Sequence, residues 1–233
     1  PLTINAAWEG HPVWSKDGKQ IAFASDRNGN LDIFLMPAAG GGAKQLTHHS
    51  ANDIPSDFAP DGTRILFQSS RDDTALSALH PTRALPELYE ISTTGGTPRQ
   101  QLTTPALDAV WNKKGDQILY KDEKSFESDL RKHDRSAFSR DIWMYDTKTG
   151  THSQLTATAG GDHDPVWGKD GKSFYYLSDR AGTFNVWQQS LKGDAKQLTK
   201  HDLHAVRSLS GSTKGTLSYL HLGELYTLKP GKK

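Results

Sequence analysis

Five of the ten histidines in the 233-residue sequence fall in short polar stretches that also carry acids and amides: His48, His49, Asn52 and Asp53; Asp108; His163 and Asp164; His201, Asp202 and His204. Imidazoles and carboxylates converging on one place can hold peptide termini or, through His and Asp, a divalent cation. Singly, each is what any wet loop carries. Together they are the best candidate binding set in the chain, because binding residues concentrate on loops held by a rigid scaffold. A second candidate is the basic run Arg131, Lys132, His133 and Arg135, suited to an acidic partner or a peptide carboxylate. Histidines near the ordinary value of about 6.5 would make such binding change between roughly pH 5.5 and 7.5.

Covalent chemistry has no comparable foothold. There is no Gly-x-Ser-x-Gly elbow, and the run Ser208 to Ser212 sits in an apolar strand context. There is no His-Glu-x-x-His, and the absence of cysteine removes thiolate nucleophiles and thiolate metal sites. Gly171-Lys172-Ser173 echoes a phosphate loop, but Val166 stands where that loop needs glycine; Asp26, Asn28 and Asn30 echo a calcium loop, but Leu31 and Pro37 break it. No catalytic residue, cofactor or metal site is expected in this chain.

Composition narrows the partners. Twenty-eight basic residues against 27 acidic ones leave a net charge of +1, too little field to favour nucleic acid. Mean hydropathy is −0.68, and no apolar run nears the ~18 residues of a spanning helix, so membrane insertion is not expected. The chain opens on Pro1 without methionine or a leader-like stretch and reads as a processed product or an excised piece.

The elements that must position these loops repeat. Leu-Thr closes a segment at Leu2-Thr3, Leu46-Thr47, Leu102-Thr103, Leu155-Thr156 and Leu198-Thr199, at spacings of 44, 56, 53 and 43. Each interval holds an aromatic residue (Trp14, Phe58, Trp111, Trp167), a charged turn ending in glycine (Gly18, Gly62, Gly115, Gly171), an alternating apolar run, and a triplet of polar, apolar and aromatic residues. The triplets are Asp32-Ile33-Phe34, Glu87-Leu88-Tyr89, Asp141-Ile142-Trp143 and Asn185-Val186-Trp187, with a fifth at Glu224-Leu225-Tyr226. Apolar residues two apart, as in Ile21/Phe23, Ile65/Phe67 and Ile118/Tyr120, mark half-buried strands, and Asp-Gly turns mark hairpins. Periods in the forties with four short strands per unit predict an all-β protein, a β-propeller of four-stranded antiparallel blades. Five repeat units are visible, at about 4–47, 48–103, 104–156, 157–199 and 200–233, in one domain over 1–233, read as part of a six-bladed ring. The fifth lacks a closing Leu-Thr. Residues 1–3 are either the tail of a preceding blade or the strand that closes the ring, and the sequence leaves both open.

Repetition argues for scaffold. One aromatic per repeat at fixed phase predicts that Trp14, Phe58, Trp111 and Trp167 form the core between blades. Arg27, Arg71 and Arg180 recur after the second strand and are expected to pair structurally, Arg27 with Asp32 and Arg180 with a neighbouring blade's acid. Units differ in two long second-to-third strand inserts, Arg71 to Pro86 and Glu123 to Arg140, beyond ordinary connection lengths. In a four-stranded blade these loops and the blade-to-blade loops leave on one side and the tight hairpins on the other. Both inserts and the His/Asp loops are therefore expected around one mouth of the channel.

The stretch Pro12 to Arg27 resembles the repeat of the TolB propeller and of propeller domains in tricorn-like serine peptidases. Ser50 to Gly62, Leu85 to Tyr89 with Thr104 to Trp111, and Arg131 to Trp143 are more like the tricorn group. The resemblance covers essentially the whole chain and implies a non-catalytic accessory domain that selects or channels peptides for a catalytic domain of the parent chain, itself a serine peptidase. Its partners would be peptides or a protein, and that catalytic domain. Alternatives are a TolB-like protein-interaction module and the propeller of a prolyl-oligopeptidase-type enzyme. A periplasmic or otherwise extracytoplasmic location is expected.

Overall fold

The computed structural model describes residues 2–71, 85–124 and 139–231. Among these the regular elements are all strands, in five antiparallel sheets. The first sheet holds β1 (Glu9–Trp14), β2 (Gln20–Ser25), β3 (Asp32–Pro37) and β4 (Lys44–Gln45), and the second β5 (Asp53–Phe58), β6 (Arg64–Ser69), β7 (Glu87–Ser92) and β8 (Arg99–Leu102). The third is built from β9 (Ala106–Trp111), β10 (Gln117–Asp122), β11 (Ile142–Asp146) and β12 (Thr151–Gln154). The fourth is β13 (Asp162–Trp167), β14 (Ser173–Ser178), β15 (Asn185–Ser190) and β16 (Ala195–Gln197). The fifth has three strands, β17 (Arg207–Gly211), β18 (Leu217–His221) and β19 (Glu224–Leu228). In each sheet the strands lie in chain order, the arrangement of propeller blades. Residues 2–8 carry no strand.

The hairpin glycines adopt the backbone their sequence demands: Gly18 and Gly62 both have φ of 72°, where a Cβ would be strained. The chain divides into two compact units, 1–115 and 116–233. In the first, Ala22, Ile33, Leu35 and Leu46 of the first blade pack against Phe58, Ile65, Phe67, Tyr89 and Ile91 of the second. In the second unit, Tyr175, Leu177 and Val186 of the fourth blade pack against Leu209, Leu217 and Tyr219 of the fifth.

The Leu-Thr repeat has a structural explanation. After the fourth strand, the threonine hydroxyl accepts the N–H of the triplet's middle residue: Ile33 to Thr47 at 2.9 Å, Ile142 to Thr156 at 2.8 Å, Val186 to Thr199 at 2.9 Å. The leucine before it donates its own N–H to the same residue's carbonyl, at 2.8 Å in Leu46, 2.9 Å in Leu155 and 2.8 Å in Leu198. Buried backbone groups are thus satisfied after the ladder ends.

Two expectations need correction. Phe58 is fully buried and Trp111 is 7% exposed, but Trp14 is 55% exposed and Trp167 is half-buried. Phe58 packs onto the blade before its own, and Trp14 ends the first strand of the first blade. The second correction concerns the arginines: each pairs with the acid that begins the first strand of its own blade, Arg27 with Glu9, Arg71 with Asp53 and Arg180 with Asp162. Arg27 does not take Asp32, whose carboxylate is engaged by Thr47 and Gln45. Each guanidinium also lies over an aromatic ring, at 4.3 Å from Phe34, 5.1 Å from Phe67 and 4.8 Å from Trp187.

Candidate functional site

The two loop classes that carry the candidate residues meet wherever they are described. In blades two to five an N–H at or just before the start of the first strand donates to a carbonyl in the preceding blade's second-to-third loop or at its end: Asp53 to Leu31 at 2.7 Å, Ala106 to Pro86 at 3.0 Å, Asp162 to Arg140 at 2.8 Å, Val206 to Phe184 at 2.9 Å. The flanks of both inserts, Pro86 and Arg140, take part in this contact. The inserts' interiors, with Arg131 and His133, lie outside the described residues.

In the first unit, Asn30 anchors the meeting. Its side-chain amide donates to the carbonyls of His49 at 2.8 Å and Ala51 at 3.0 Å, while Asn52 accepts the Leu31 N–H at 3.1 Å. His49 Nδ1 accepts the Ala51 N–H at 3.0 Å, leaving the exposed His48 beside it. Asn28, Asn30, Asp32, Gln45, His48, His49 and Ser50 line a shallow open depression of about 310 Å³. Burial raises the Asp32 carboxyl above the usual carboxylate range, against the lowering effect of its Thr47 and Gln45 hydrogen bonds. Asp53 belongs to the fold, fully buried in β5 and paired with Arg71. Asp108 takes the left-handed conformation at φ 51° on β9, and its N–H donates to Gln68 at 3.2 Å.

In the second unit, His163 is half-buried on β13 with its ring 4.9 Å from Phe184. Asp164, at φ 51° in the bulge of the same strand, accepts the Leu209 N–H at 3.0 Å and so ties β13 to β17. His201 stacks at 3.9 Å on His221, and its Nε2 is 3.3 Å from the Tyr219 hydroxyl. Burial, then the His221 charge, lowers the His201 pKa. His204 is exposed. Sequence reasoning missed His221, which is buried in β18 with no hydrogen-bond partner for Nε2; its position in an apolar strand gave no signal. Among the described residues no three His, Asp or Glu side chains converge as a metal-binding group, and no helix is long and apolar enough to cross a membrane.

The geometry thus offers exposed imidazoles and amides on loops fixed by backbone hydrogen bonds, a surface for recognition. Compared with known families, residues 1–233 match the tricorn protease N-terminal beta propeller domain. The chain belongs to that family. Tricorn protease homolog 1 of Streptomyces coelicolor is 27% identical over 98% of this chain and 21% of its own length. A TolB homolog of Chlorobium chlorochromatii is 24% identical over 70% of the chain and 32% of its own length. The crystal structure of the tricorn protease superposes with a TM-score of 0.79 at 18% identity, over 98% of this chain and 22% of that one. An uncharacterised Agrobacterium fabrum protein is 25% identical over 73% of the chain, which spans 54% of its length. This tricorn-type propeller domain therefore spans about half or less of these curated relatives.

Proposed function

We propose that this propeller domain is a non-catalytic accessory of a tricorn-like serine peptidase, selecting or channelling peptides for a catalytic domain in the parent chain. The observation that carries the reading is the meeting of second-to-third strand loops, the insert flanks Pro86 and Arg140 among them, with the blade-to-blade loops, on a family scaffold associated with peptidases by its own description. Peptide termini and side chains would engage His48, His49 and Asn52 in the first unit, and His163, His201 and His204 with the insert residues Arg131 and His133 in the second. Asp53 and Asp164 would act through the fold that their buried bonds maintain.

The test is peptide binding by the isolated chain. Photo-crosslinking peptides should label the loops around His48 and His204 and leave the hairpins of Asp17, Asp61 and Asp170 unlabelled, with no peptide turnover. Labelling confined to those hairpins, or stoichiometric capture of one serine by a serine-directed probe with matching turnover, overturns the reading. A second reading, a protein-interaction module, draws on the TolB relatives and goes with an extracytoplasmic location. Under it the same loops capture a folded protein and ignore short peptides, and cell fractionation places the parent protein outside the cytoplasm.

A further inference from the structure

The first residue of the repeated triplet meets a different partner from blade to blade. In the third blade Asp141 Oδ2 takes two donors, the Gln154 side-chain amide at 3.1 Å and the Lys124 ammonium at 2.8 Å. The same ammonium donates at 2.7 Å to the carbonyl of Ser139, two residues before the acid. In the fourth blade the neutral Asn185 stands in the acid's place, and its own amide serves the corresponding carbonyl, that of Thr183, at 3.2 Å. Both blades thus fill this position with a nitrogen donor of their own.

The first blade keeps the acid but supplies no such donor. Asp32 is buried and accepts the Thr47 hydroxyl on Oδ1 at 3.1 Å and the Gln45 amide on Oδ2 at 2.9 Å, where a carboxylate has room for about four donors. Arg27, in the place of Lys124, turns to Glu9 and Phe34. Among the described residues no lysine or arginine pairs with Asp32, and no donor meets the carbonyl of Asn30, two residues before it. The open depression of about 310 Å³ lies here. The side-chain amides on its wall donate to the protein: Asn28 to Gln45 Oε1 at 2.7 Å, Asn30 to the His49 and Ala51 carbonyls, and Gln45 to Asp32 and the Thr47 carbonyl. That leaves the side-chain oxygens of Asn28 and Asn30 beside Asp32, a lining of acceptors. The charges acting on Asp32 are those of the exposed His48 and of Asp53, itself paired with Arg71.

We propose that this depression binds a primary ammonium group of a peptide, its free amino terminus or a lysine side chain, with Asp32 as the counter-ion and the oxygens of Asn28 and Asn30 as further acceptors. The Lys124 ammonium on Asp141 is the protein's own picture of the bound group. An ammonium has three donors and no acceptor, which matches acceptors gathered round one carboxylate, whereas a peptide carboxylate would meet like charge there. That the ammonium is carried by a peptide rests on the accessory reading; the preference for an ammonium rests on the comparison of blades.

Three amidated alanine pentapeptides test this by titration calorimetry on the full chain: one with a free amino terminus, one acetylated, and one acetylated with a central lysine. At least one ammonium-bearing peptide should bind about five- to tenfold more tightly than the plain acetylated one, and which of the two does so identifies the source. Asp32→Asn, the residue blade four carries at this place, should abolish that advantage and leave the affinity of the acetylated peptide unchanged. Should that variant misfold, Asn28→Ala, at an exposed position, should reduce the advantage about threefold. Equal binding of all three peptides overturns the proposal and leaves the accessory reading standing, whereas binding of none overturns both. An advantage that survives intact in Asp32→Asn, or in Asn28→Ala where that variant replaces it, puts the ammonium elsewhere and overturns the proposal as well.

Discussion

Arg180 reaches the fully buried Asp162, eighteen residues earlier, at 3.3 Å, closing the open end of its own blade. Arg27 with Glu9 and Arg71 with Asp53 do the same. The third blade departs from this. Ala106 replaces the first-strand acid, and Lys124 replaces the arginine, pairing instead with Asp141 at 2.8 Å and Asp122 at 3.3 Å. The acid has moved to the end of the second strand, where blades one, two and four have Ser25, Ser69 and Ser178.

Lys124→Met should therefore leave two buried carboxylates facing each other and cost about 1–3 kcal/mol, the half-exposed lysine keeping the figure modest. Replacing Asp122 by Ser in the same chain should recover part of the loss. Urea midpoints of the single and double variants check this.

The threonine hooks give a second outcome. Thr199→Val keeps the shape but strands the Val186 N–H and should cost about 1–3 kcal/mol, whereas Thr199→Ser should stay within roughly 0.5 kcal/mol. Exchange at Val186 should rise in the valine variant alone.

For the recurring aromatics the outcomes diverge. Trp111→Ala removes a ring that is 7% exposed and should cost about 3–5 kcal/mol. Trp14→Ala, at 55% exposure, should cost less than about 1 kcal/mol. Equal losses in thermal melts would contradict the assignment of Trp111, and not Trp14, to the core.

Asp32 supplies a pH dependence. Burial raises its folded pKa above the ordinary 3.8, so the charged form costs stability at neutral pH. As pH falls through the raised folded value towards the unfolded one, the folded state binds the proton first and gains stability. Blade four uses the neutral Asn185 at this place, accepting from Thr199 at 2.8 Å and from the His201 N–H at 2.8 Å. Asp32→Asn should thus be tolerated, match or exceed the parent at pH 7 and lose the parent's gain on mild acidification. Comparing the two chains' urea midpoints at pH 7 and just above 4 isolates that group.

The blade repeat was legible because its signals are local: Gly18 and Gly62 announce their turns, and Ile21 with Phe23 or Ile65 with Phe67 their strands. The arginine partners were not, because Arg180 and Asp162 are eighteen residues apart and meet only through the first-to-second strand register. The left-handed backbone at His11, Asp108 and Asp164, each at φ near 50°, was equally hidden, since none of these residues demands that conformation. Of the candidate loops, chemistry was readable in the types of His48 and His204. The structural duties of Asp53 and Asp164 were not, because a carboxylate's partner lies in another strand.

Each complete blade with a hydroxyl hook fastens itself with its own last residue, so the natural joint in the sequence falls just after the threonine. A duplication or deletion cut there hands on a segment whose third strand already carries its clasp. Copy number can then change without any blade losing a backbone bond to its neighbour's tail. The same joint is where an engineer would splice an additional blade, and cutting one residue earlier would leave the clasp behind.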